Sequence, residues 1–407
     1  MLRTQCDEMQ RLAALNDGGK PPIEYWEQLM IYFDNAATTF PKPAVVIREM
    51  TKCMKEYCGN PGRGSHPLAL AAAEAIYDVR CGIADFFGIS KPENVVFTQN
   101  TTQALNLAIA GIACRGDHFI LSNLEHNSVL RPIANLCAIR GMTYDTVDAT
   151  GDDAALLQEI ERHIRPNTRA VVMTHASNIC PRILPVKEIG ALCKRYGILY
   201  VVDAAQSAGV YDIHMMRDGI SVLCAPGHKG LYGPQGSGFA AFSDDFDFER
   251  FRCSLFGGNG KNSNDIDMGH EPPDSYEAGT VATPCIVGLG AGLRYVSSAD
   301  REKIEKHETS LMRYGAELLE HHKKVKVYLP AAQRGSILLL GFDGISPSEV
   351  SEKLGDAGVC TRAGLHCAPA AHRALRTGGD ALRISFSAFN TPEEIEKFVL
   401  ILEKILS

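Results

Sequence analysis

Short apolar runs alternate with amphipathic segments along the first two thirds of the chain. The apolar runs predict strands at about 94–97, 118–122, 170–175, 198–205 and 221–226. The segment from Pro67 to Gly88 has helical spacing between a proline start and a glycine stop. Nearly continuous apolar strands that alternate with helices indicate a mostly parallel sheet covered on both faces.

The pattern changes after about residue 285. A long helical stretch, roughly 284–322, leads to the apolar runs VKVYL and SILLLGF, a helix and the run ALRISFS. Thr391 and Glu394 predict a capping box at the start of the last helix. We therefore expect an α/β large domain and a smaller α+β domain. The predicted division is an appended segment 1–29, a large domain 30–285 and a C-terminal domain 286–407.

Composition narrows the classes of function. The 407 residues carry a formal net charge of −7, which argues against a nucleic-acid-binding surface. No apolar run approaches the roughly 18 residues that a membrane span needs. The N-terminal segment has no apolar h-region, so we expect no export signal there. The 13 cysteines include no C-x-x-C pair, so we expect no metal site and mostly reduced thiols. These features predict a cytoplasmic protein that binds neither nucleic acid nor membrane.

Polar residues follow several of the predicted strands, where open α/β sheets bind their ligands. Asp203 ends a strand, either as a counter-charge for a cationic ligand or as a buried structural acid. Thr101 and Thr102 begin a helix, where they would bind an anion or simply cap it. His126 and Asn178 follow two further strands, and each alone could be structural.

Lys229 lies in the turn-rich stretch APGHKGLYGPQG. The loop could cradle a phosphate, carry a covalently reactive lysine or be an ordinary surface turn. Its spacing does not match the nucleotide-binding P-loop, in which the lysine opens a helix. Glycines on both sides would let the backbone approach a ligand closely.

A second polar loop, CTRAGLHCAPAAHR, contains Cys367. Arg362, His366, His372 and Arg373 surround this thiol in sequence, and we expect them to lower its pKa. Arg383 follows in an apolar strand, where it would bind a substrate carboxylate or pair with an internal acid. A lysine, an aspartate, a flat side chain and a helix N-terminus at one sheet edge are together what pyridoxal phosphate needs.

These residues resemble the class V aminotransferase family, and within it the group II cysteine desulfurases and selenocysteine lyases. The resemblance covers roughly 31–407, and we expect fold type I of the pyridoxal phosphate-dependent transferases. It rests on the stretches DNAATT, RGSH, NTTQALNLA, EHNS, THASN, VDAAQ, GHKGLYGP, YEAGT, RAGLHCAP and RISFSAFNT.

The resemblance implies a cofactor site. Lys229 would hold the cofactor covalently, Asp203 would pair with the pyridine nitrogen, and Gln206 would contact the phenolic oxygen. His126 would stack on the ring. Thr101, Thr102 and His228 would bind the phosphate, and Thr280 would reach the phosphate of a partner subunit, so that the protein is a homodimer.

The resemblance also implies a substrate site and a reaction. Arg383 would bind the carboxylate of an amino acid substrate, and Asn178, Arg63 and Ala36 would help to position it. Cys367 would attack the substrate sulfur, leaving a persulfide on Cys367 and releasing alanine. A sulfur-acceptor protein would then take the sulfur.

Three residues depart from the family pattern. Pro226 replaces a phosphate-binding hydroxyl residue, Gly230 is inserted after Lys229, and Leu365 replaces the first histidine of the cysteine loop. Alternatives to a cysteine desulfurase are therefore a selenocysteine lyase, another class V enzyme, or a paralogue without chemistry.

Overall fold

The computed structural model describes residues 30–62, 64–259, 264, 266–328 and 335–407. The predicted appended segment 1–29 lies outside the described residues, as does Arg63. Within these ranges, no helix is long and apolar enough to cross a membrane.

The larger part of the molecule alternates strands and helices as the apolar pattern predicts. Its elements are β1 (Ile31–Tyr32), α1 (Ala44–Glu56), α2 (Pro67–Phe87), β2 (Val95–Thr98), α3 (Thr101–Ile112), β3 (His118–Ser122), α4 (Asn127–Arg140), β4 (Thr143–Val147), α5 (Asp153–His163), β5 (Thr168–Thr174), α6 (Val186–Tyr196), β6 (Leu199–Asp203), β7 (Val222–Pro226) and β8 (Gly238–Phe242).

Seven of these strands form one sheet in the order β2-β8-β7-β6-β5-β3-β4. All neighbours are parallel except β8, which is antiparallel to both β2 and β7. Alternate side chains of β5 enter different apolar clusters, Val171 and Met173 on one face and Ala170 and Val172 on the other. This two-sided burial confirms the predicted α/β class and explains the continuous apolar runs.

The C-terminal part is a second α+β unit. Its elements are α7 (Thr283–Ala299), α8 (Arg301–Leu319), β9 (Val325–Val327), β10 (Ile337–Phe342), α9 (Pro347–Asp356), β11 (Val359–Cys360), β12 (Arg362–Ala363), α10 (Pro369–Ala374), β13 (Leu382–Ser385) and α11 (Pro392–Leu406). An antiparallel sheet in the order β12-β13-β10-β9 packs against α8, α9 and α11. The predicted capping box of Thr391 and Glu394 is present at the start of α11.

The first described strand joins this second unit. Ile31 and Tyr32 of β1 pair in parallel with Val359 and Cys360 of β11, and the backbone N–H of Ser385 donates to Phe33 O at 2.8 Å. The first described residues therefore lie beside β13, before the chain enters the large sheet. The predicted domain bounds did not anticipate this crossing, which brings the segment after β1 next to the Arg383 strand.

Candidate active site

One cavity of about 210 Å³ lies where the carboxyl ends of the large-sheet strands face the cysteine loop. It brings together all the sequence-predicted site residues except Thr280 and Arg63. Those in its lining are Ala36, Thr101, Thr102, His126, Asn178, Asp203, Gln206, His228, Lys229, Cys367 and Arg383. Sequence reasoning missed Asn100, Ser128 and Thr174 as lining residues; each lies within a few residues of a predicted one.

Two opposite charges are buried at the base of the cavity. Asp203 ends β6, and its Oδ1 accepts from the backbone N–H of Ala205 at 2.9 Å. Burial raises the pKa of Asp203 to about 6, and the charge of Lys229 opposes that rise. Burial also lowers the pKa of Lys229 to about 8, with Asp203 acting against the shift and Arg383 adding to it. At pH 7 about a tenth of the amine is therefore neutral, far more than for an exposed lysine.

The loop that carries Lys229 is held by hydrogen bonds on one side and packs closely against another backbone segment on the other. The carbonyl of His228 accepts from Thr39 N at 3.1 Å and from Lys42 Nζ at 2.8 Å. On the other side, a Cβ at Gly230 would lie 2.6 Å from Ala208 O. The glycine that departs from the family pattern is thus required by this close approach of two backbones.

The start of α3 and the loop after β7 each contribute a polar group without a partner to the lining of the cavity. Asn100, and neither threonine, caps the helix: its Oδ1 accepts from Gln103 N at 2.9 Å. Thr101 Oγ1 and His228 Nδ1 are buried and have no partner in the described part of the chain. Burial lowers the pKa of His228 to about 4, so this imidazole is uncharged at neutral pH. A helix N-terminus with such groups suits an anion.

His126 serves two purposes in the structure. It caps α4, because its Nδ1 accepts from Ser128 N at 3.0 Å. Burial and then the positive charge of Lys229 lower its pKa to about 4, which leaves an uncharged ring in the lining of the cavity. The structural and functional interpretations of this histidine are therefore compatible.

Arg383 is held by a partner that sequence reasoning did not identify. Its Nη2 donates to Asp34 Oδ1 at 2.6 Å and its Nη1 to the carbonyl of Asn178 at 3.1 Å. Its Nε is buried without a partner in the described ranges. The internal acid considered for this arginine exists, yet the Nε–H has no partner within the described ranges and is left for a ligand. The signal in the sequence was the acid of the DNAATT stretch.

The cysteine loop exposes its thiol beside the cavity. His366 and Cys367 have φ angles of 48° and 57°, and the carbonyl of Cys367 accepts from Asn127 N at 2.8 Å. The predicted effect of the two loop histidines on the thiol would need a positive charge, which neither ring carries. Burial lowers the pKa of His366 to about 3 and also lowers that of His372, so neither imidazole is charged. Arg362 does line the cavity, whereas Arg373 lines a separate surface groove.

Thr280 lies away from this cavity. It lines a second one of about 200 Å³ together with Asn60 and Arg80. Asn60 Nδ2 lies 3.4 Å from Thr280 Oγ1. Within one chain, Thr280 is thus not part of the site around Lys229. No cluster of three or more His, Cys, Asp or Glu side chains suited to a metal ion occurs among the described residues.

The arrangement has a definite chemical capacity. A partly neutral lysine can form an imine with a carbonyl group, and a buried carboxylate beside it can stabilise a cationic ring nitrogen. A guanidinium with a free N–H can bind a carboxylate, and an exposed thiol can act as a nucleophile.

Comparison with known proteins identifies the family of the chain. A family model described as Aminotransferase class-V matches residues 31–398. Proteins named "Probable cysteine desulfurase" from Methanothermobacter thermautotrophicus and Pyrococcus abyssi are 35% and 31% identical. These matches span 92% and 93% of this chain, and 94% and 95% of those proteins.

Solved structures extend the similarity to the whole fold. The apo cysteine desulfurase from Thermococcus onnurineus superposes with a TM-score of 0.86 at 31% identity, over 95% of this chain and 99% of that one. The architecture is fold type I of the pyridoxal phosphate-dependent transferases, as predicted. The match of the family model over almost the entire described chain shows that this protein belongs to the aminotransferase class-V family.

Proposed function

We propose that the protein is a pyridoxal 5'-phosphate-dependent cysteine desulfurase that converts L-cysteine to L-alanine and leaves a persulfide on Cys367. The observation that carries this proposal is the single cavity shared by Lys229, Asp203, Arg383 and Cys367. A class V enzyme acting on another amino acid would need the first three groups but would have no use for an exposed thiol beside them. The names of the relatives point to the same reaction.

The residues present fit the cofactor. Lys229 would hold it covalently, and Asp203, with its backbone-anchored carboxylate, would pair with the pyridine nitrogen. The unpartnered Thr101 Oγ1 and His228 Nδ1 would donate to the phosphate, with Thr102 beside them at the start of α3. Pro226 supplies no hydroxyl there, so these groups would carry the phosphate contacts. When bound, the cofactor supplies an electron sink for the substrate α-carbon.

Two further residues would orient the ring. Gln206 is fixed by donating from its Nε2 to the carbonyl of Ala36 at 2.9 Å, and it would contact the phenolic oxygen. The uncharged imidazole of His126 would stack on the ring face, and its cap bond to Ser128 N limits its rotation. Both residues line the same cavity as Lys229.

The substrate would be bound through its carboxylate. Arg383 offers its free Nε, and Asn178 orients the guanidinium through its carbonyl. Ala36 lines the cavity beside them. Arg63, which lies outside the described residues, would help to position the substrate. A buried guanidinium discriminates strongly for a carboxylate because water cannot replace the lost contact.

The chain's own groups would perform the proton and sulfur transfers. Lys229, with a pKa lowered to about 8, would accept the α-proton as a neutral amine. The Cys367 thiolate would attack the substrate sulfur, forming an S–S bond as the C–S bond breaks. The electron pair of the C–S bond passes to the substrate side, where the β-carbon takes up a proton, and Lys229 returns a proton to the α-carbon. Alanine leaves, and the persulfide sulfur passes to a thiol of an acceptor protein, which restores Cys367.

The proposal includes a homodimer in the cytoplasm. Thr280 is exposed in the second cavity, outside the Lys229 site of its own chain, where it would reach a partner's phosphate. Leu68, Leu70 and Tyr77 leave apolar side chains exposed on neighbouring α2. All twelve described cysteines are free thiols, which suits a reducing compartment.

The experiment that tests the function measures alanine released from L-cysteine and L-selenocysteine by the wild type and by Cys367→Ala, with and without a thiol reductant. We expect turnover of L-cysteine that depends on Cys367 and is accelerated by the reductant. Turnover of L-selenocysteine alone, retained in Cys367→Ala, would replace the proposal with a selenocysteine lyase.

A further inference from the structure

Cys367 lies in a turn that its own backbone does not favour. His366 and Cys367 both have a positive φ, which non-glycine residues rarely adopt. Two hydrogen bonds hold the turn from outside: Asn178 Nδ2 donates to the carbonyl of His366 and Asn127 N to that of Cys367, both at 2.8 Å. The side chain of His366 is buried and offers a third anchor.

The contacts of His366 determine which of its nitrogens carries hydrogen. Nε2 lies 3.0 Å from the carbonyl of Arg362, which can only accept, so Nε2 is protonated. An uncharged imidazole then has a bare Nδ1 that must accept. Its partner at 3.2 Å is Nε2 of His372, which must therefore be the donor.

The same reasoning extends to Thr377. With Nε2 protonated, the Nδ1 of an uncharged His372 accepts from the Thr377 hydroxyl at 2.6 Å. Thr377 Oγ1 lies 3.3 Å from Gly379 N, from which it accepts. The result is a one-way chain of donors from Thr377 through His372 and His366 to Arg362 O.

A charged imidazole would break this direction, and burial disfavours it. Burial is the largest influence on the pKa of both histidines and lowers both. The Asp380 carboxylate favours a charged His372, but its influence on the pKa of His372 is smaller than that of burial. This carboxylate also accepts a hydrogen bond from Ser348 Oγ at 3.1 Å. The planes of the His366 and His372 rings lie 7° from parallel.

The hydrogen-bond chain bears on Leu365, which departs from the family pattern. Leu365 is 46% exposed and offers no polar group where the family pattern has a histidine. The second imidazole of the loop comes instead from His372 on α10, five residues after Cys367. We propose that His372 and Thr377 are positioning residues that lock the Nε2–H form of His366 and so hold the turn that presents Cys367 to the cavity. The role of Cys367 in this statement rests on the proposed function, whereas the hydrogen-bond chain does not.

The first test reads the imidazoles directly. In the holoenzyme labelled with ¹⁵N-histidine, with signals assigned by His366→Gln and His372→Gln, we expect hydrogen on Nε2 of both rings. Thr377→Val removes the hydroxyl at nearly constant volume and should mix the two forms of His372, and through the Nε2 of His372 those of His366, whereas Thr377→Ser should keep the wild-type forms. Hydrogen on Nδ1 of His366 in the wild type would overturn the inference. So would a ¹⁵N spectrum of Thr377→Val that is the same as that of the wild type.

The second test separates positioning from binding. We expect kcat for alanine formation to fall about tenfold in Thr377→Val, with KM for L-cysteine within about twofold, because a buried acceptor is left unpaired but the Arg383 site is untouched. Equal kcat in Thr377→Val and Thr377→Ser would exclude a positioning role. If Thr377→Val does not fold, two His372 variants replace it. His372→Gln keeps a hydrogen-bond donor, so its kcat for alanine formation should exceed that of His372→Leu. If the wild type forms no alanine, the proposed function fails while the ¹⁵N spectra still decide the hydrogen-bond chain.

Discussion

Removing the charge of Asp34 should lower the thermal stability of the free enzyme and increase the stabilisation that a carboxylate ligand gives. Arg383 is 2% exposed and its only charged hydrogen-bond partner in the described part of the chain is Asp34, at 2.6 Å. In Asp34→Asn this buried guanidinium loses its counter-ion, whereas a bound amino acid would replace it. We therefore expect the variant to be less stable alone and to gain more than the wild type when L-alanine binds.

The magnitude follows from the burial of the pair. Deleting one partner of a fully buried ion pair costs about 3–5 kcal/mol. The Asp34 side chain is 21% exposed, and the Asn amide oxygen still accepts a hydrogen bond, so we expect about 2 kcal/mol. An unfolding entropy of about 2.1 cal/mol/K per residue, applied to 407 residues, converts this to a fall of roughly 2–3 °C in Tm.

The assay is thermal unfolding of the holoenzyme with and without saturating L-alanine. Glu349→Gln is the matched control, because its ion pair with Lys353 is exposed and should contribute little. A Tm of Asp34→Asn equal to that of the wild type, or an equal rise with L-alanine in both proteins, would refute the reasoning that Asp34 neutralises Arg383.

Three other variants test separate parts of the structure. Lys229→Ala should abolish covalent cofactor attachment, and an unchanged visible absorption spectrum would contradict that role. Gly230→Ala should destabilise the protein by roughly 2 kcal/mol in urea unfolding, because the added Cβ meets Ala208 O at 2.6 Å; a neutral effect would show that the loop can move. Glu308 is buried with a pKa raised from 4.5 to about 8. The folded state thus retains a proton that the unfolded state releases, and stability is lost as pH rises through 8. Glu308→Gln should therefore gain about 1 kcal/mol over the wild type between pH 7 and 9, and a pH-independent difference would contradict the raised pKa.

Local signals in the sequence predicted the elements well where the physics is local. The capping box at Thr391 depends on two side chains of one helical turn, and it is present as predicted. The buried strands β2, β3, β5, β6 and β7 were found because both their faces meet apolar clusters. β4 was not predicted, because it is an edge strand whose sequence TYDTV is mostly polar and partly exposed. β8 was also missed, and its antiparallel direction depends on its two neighbours in the sheet.

The candidate site was predictable to the extent that its residues follow strand ends. Asp203, Asn178 and Lys229 could be brought to one edge because parallel strands end together. The partner of Arg383 could not be found in this way, because Asp34 reaches it through the pairing of β1 with β11 and the contact of Phe33 and Asp34 with Ser385. The uncharged state of His366 and His372 could not be found for a related reason: sequence proximity to the thiol reveals nothing about burial.

The sequence alone determined the α/β class, the identity of the groups that line the cavity and the resemblance to a family, because periodicity, strand ends and motifs are written in the order of residues. Only the tertiary structure decided which of those groups neutralise one another. Distances across the two units set the Asp34–Arg383 pair, and burial set the pKa of Lys229 and of the loop histidines. Both depend on residues hundreds of positions apart, so no local pattern records them.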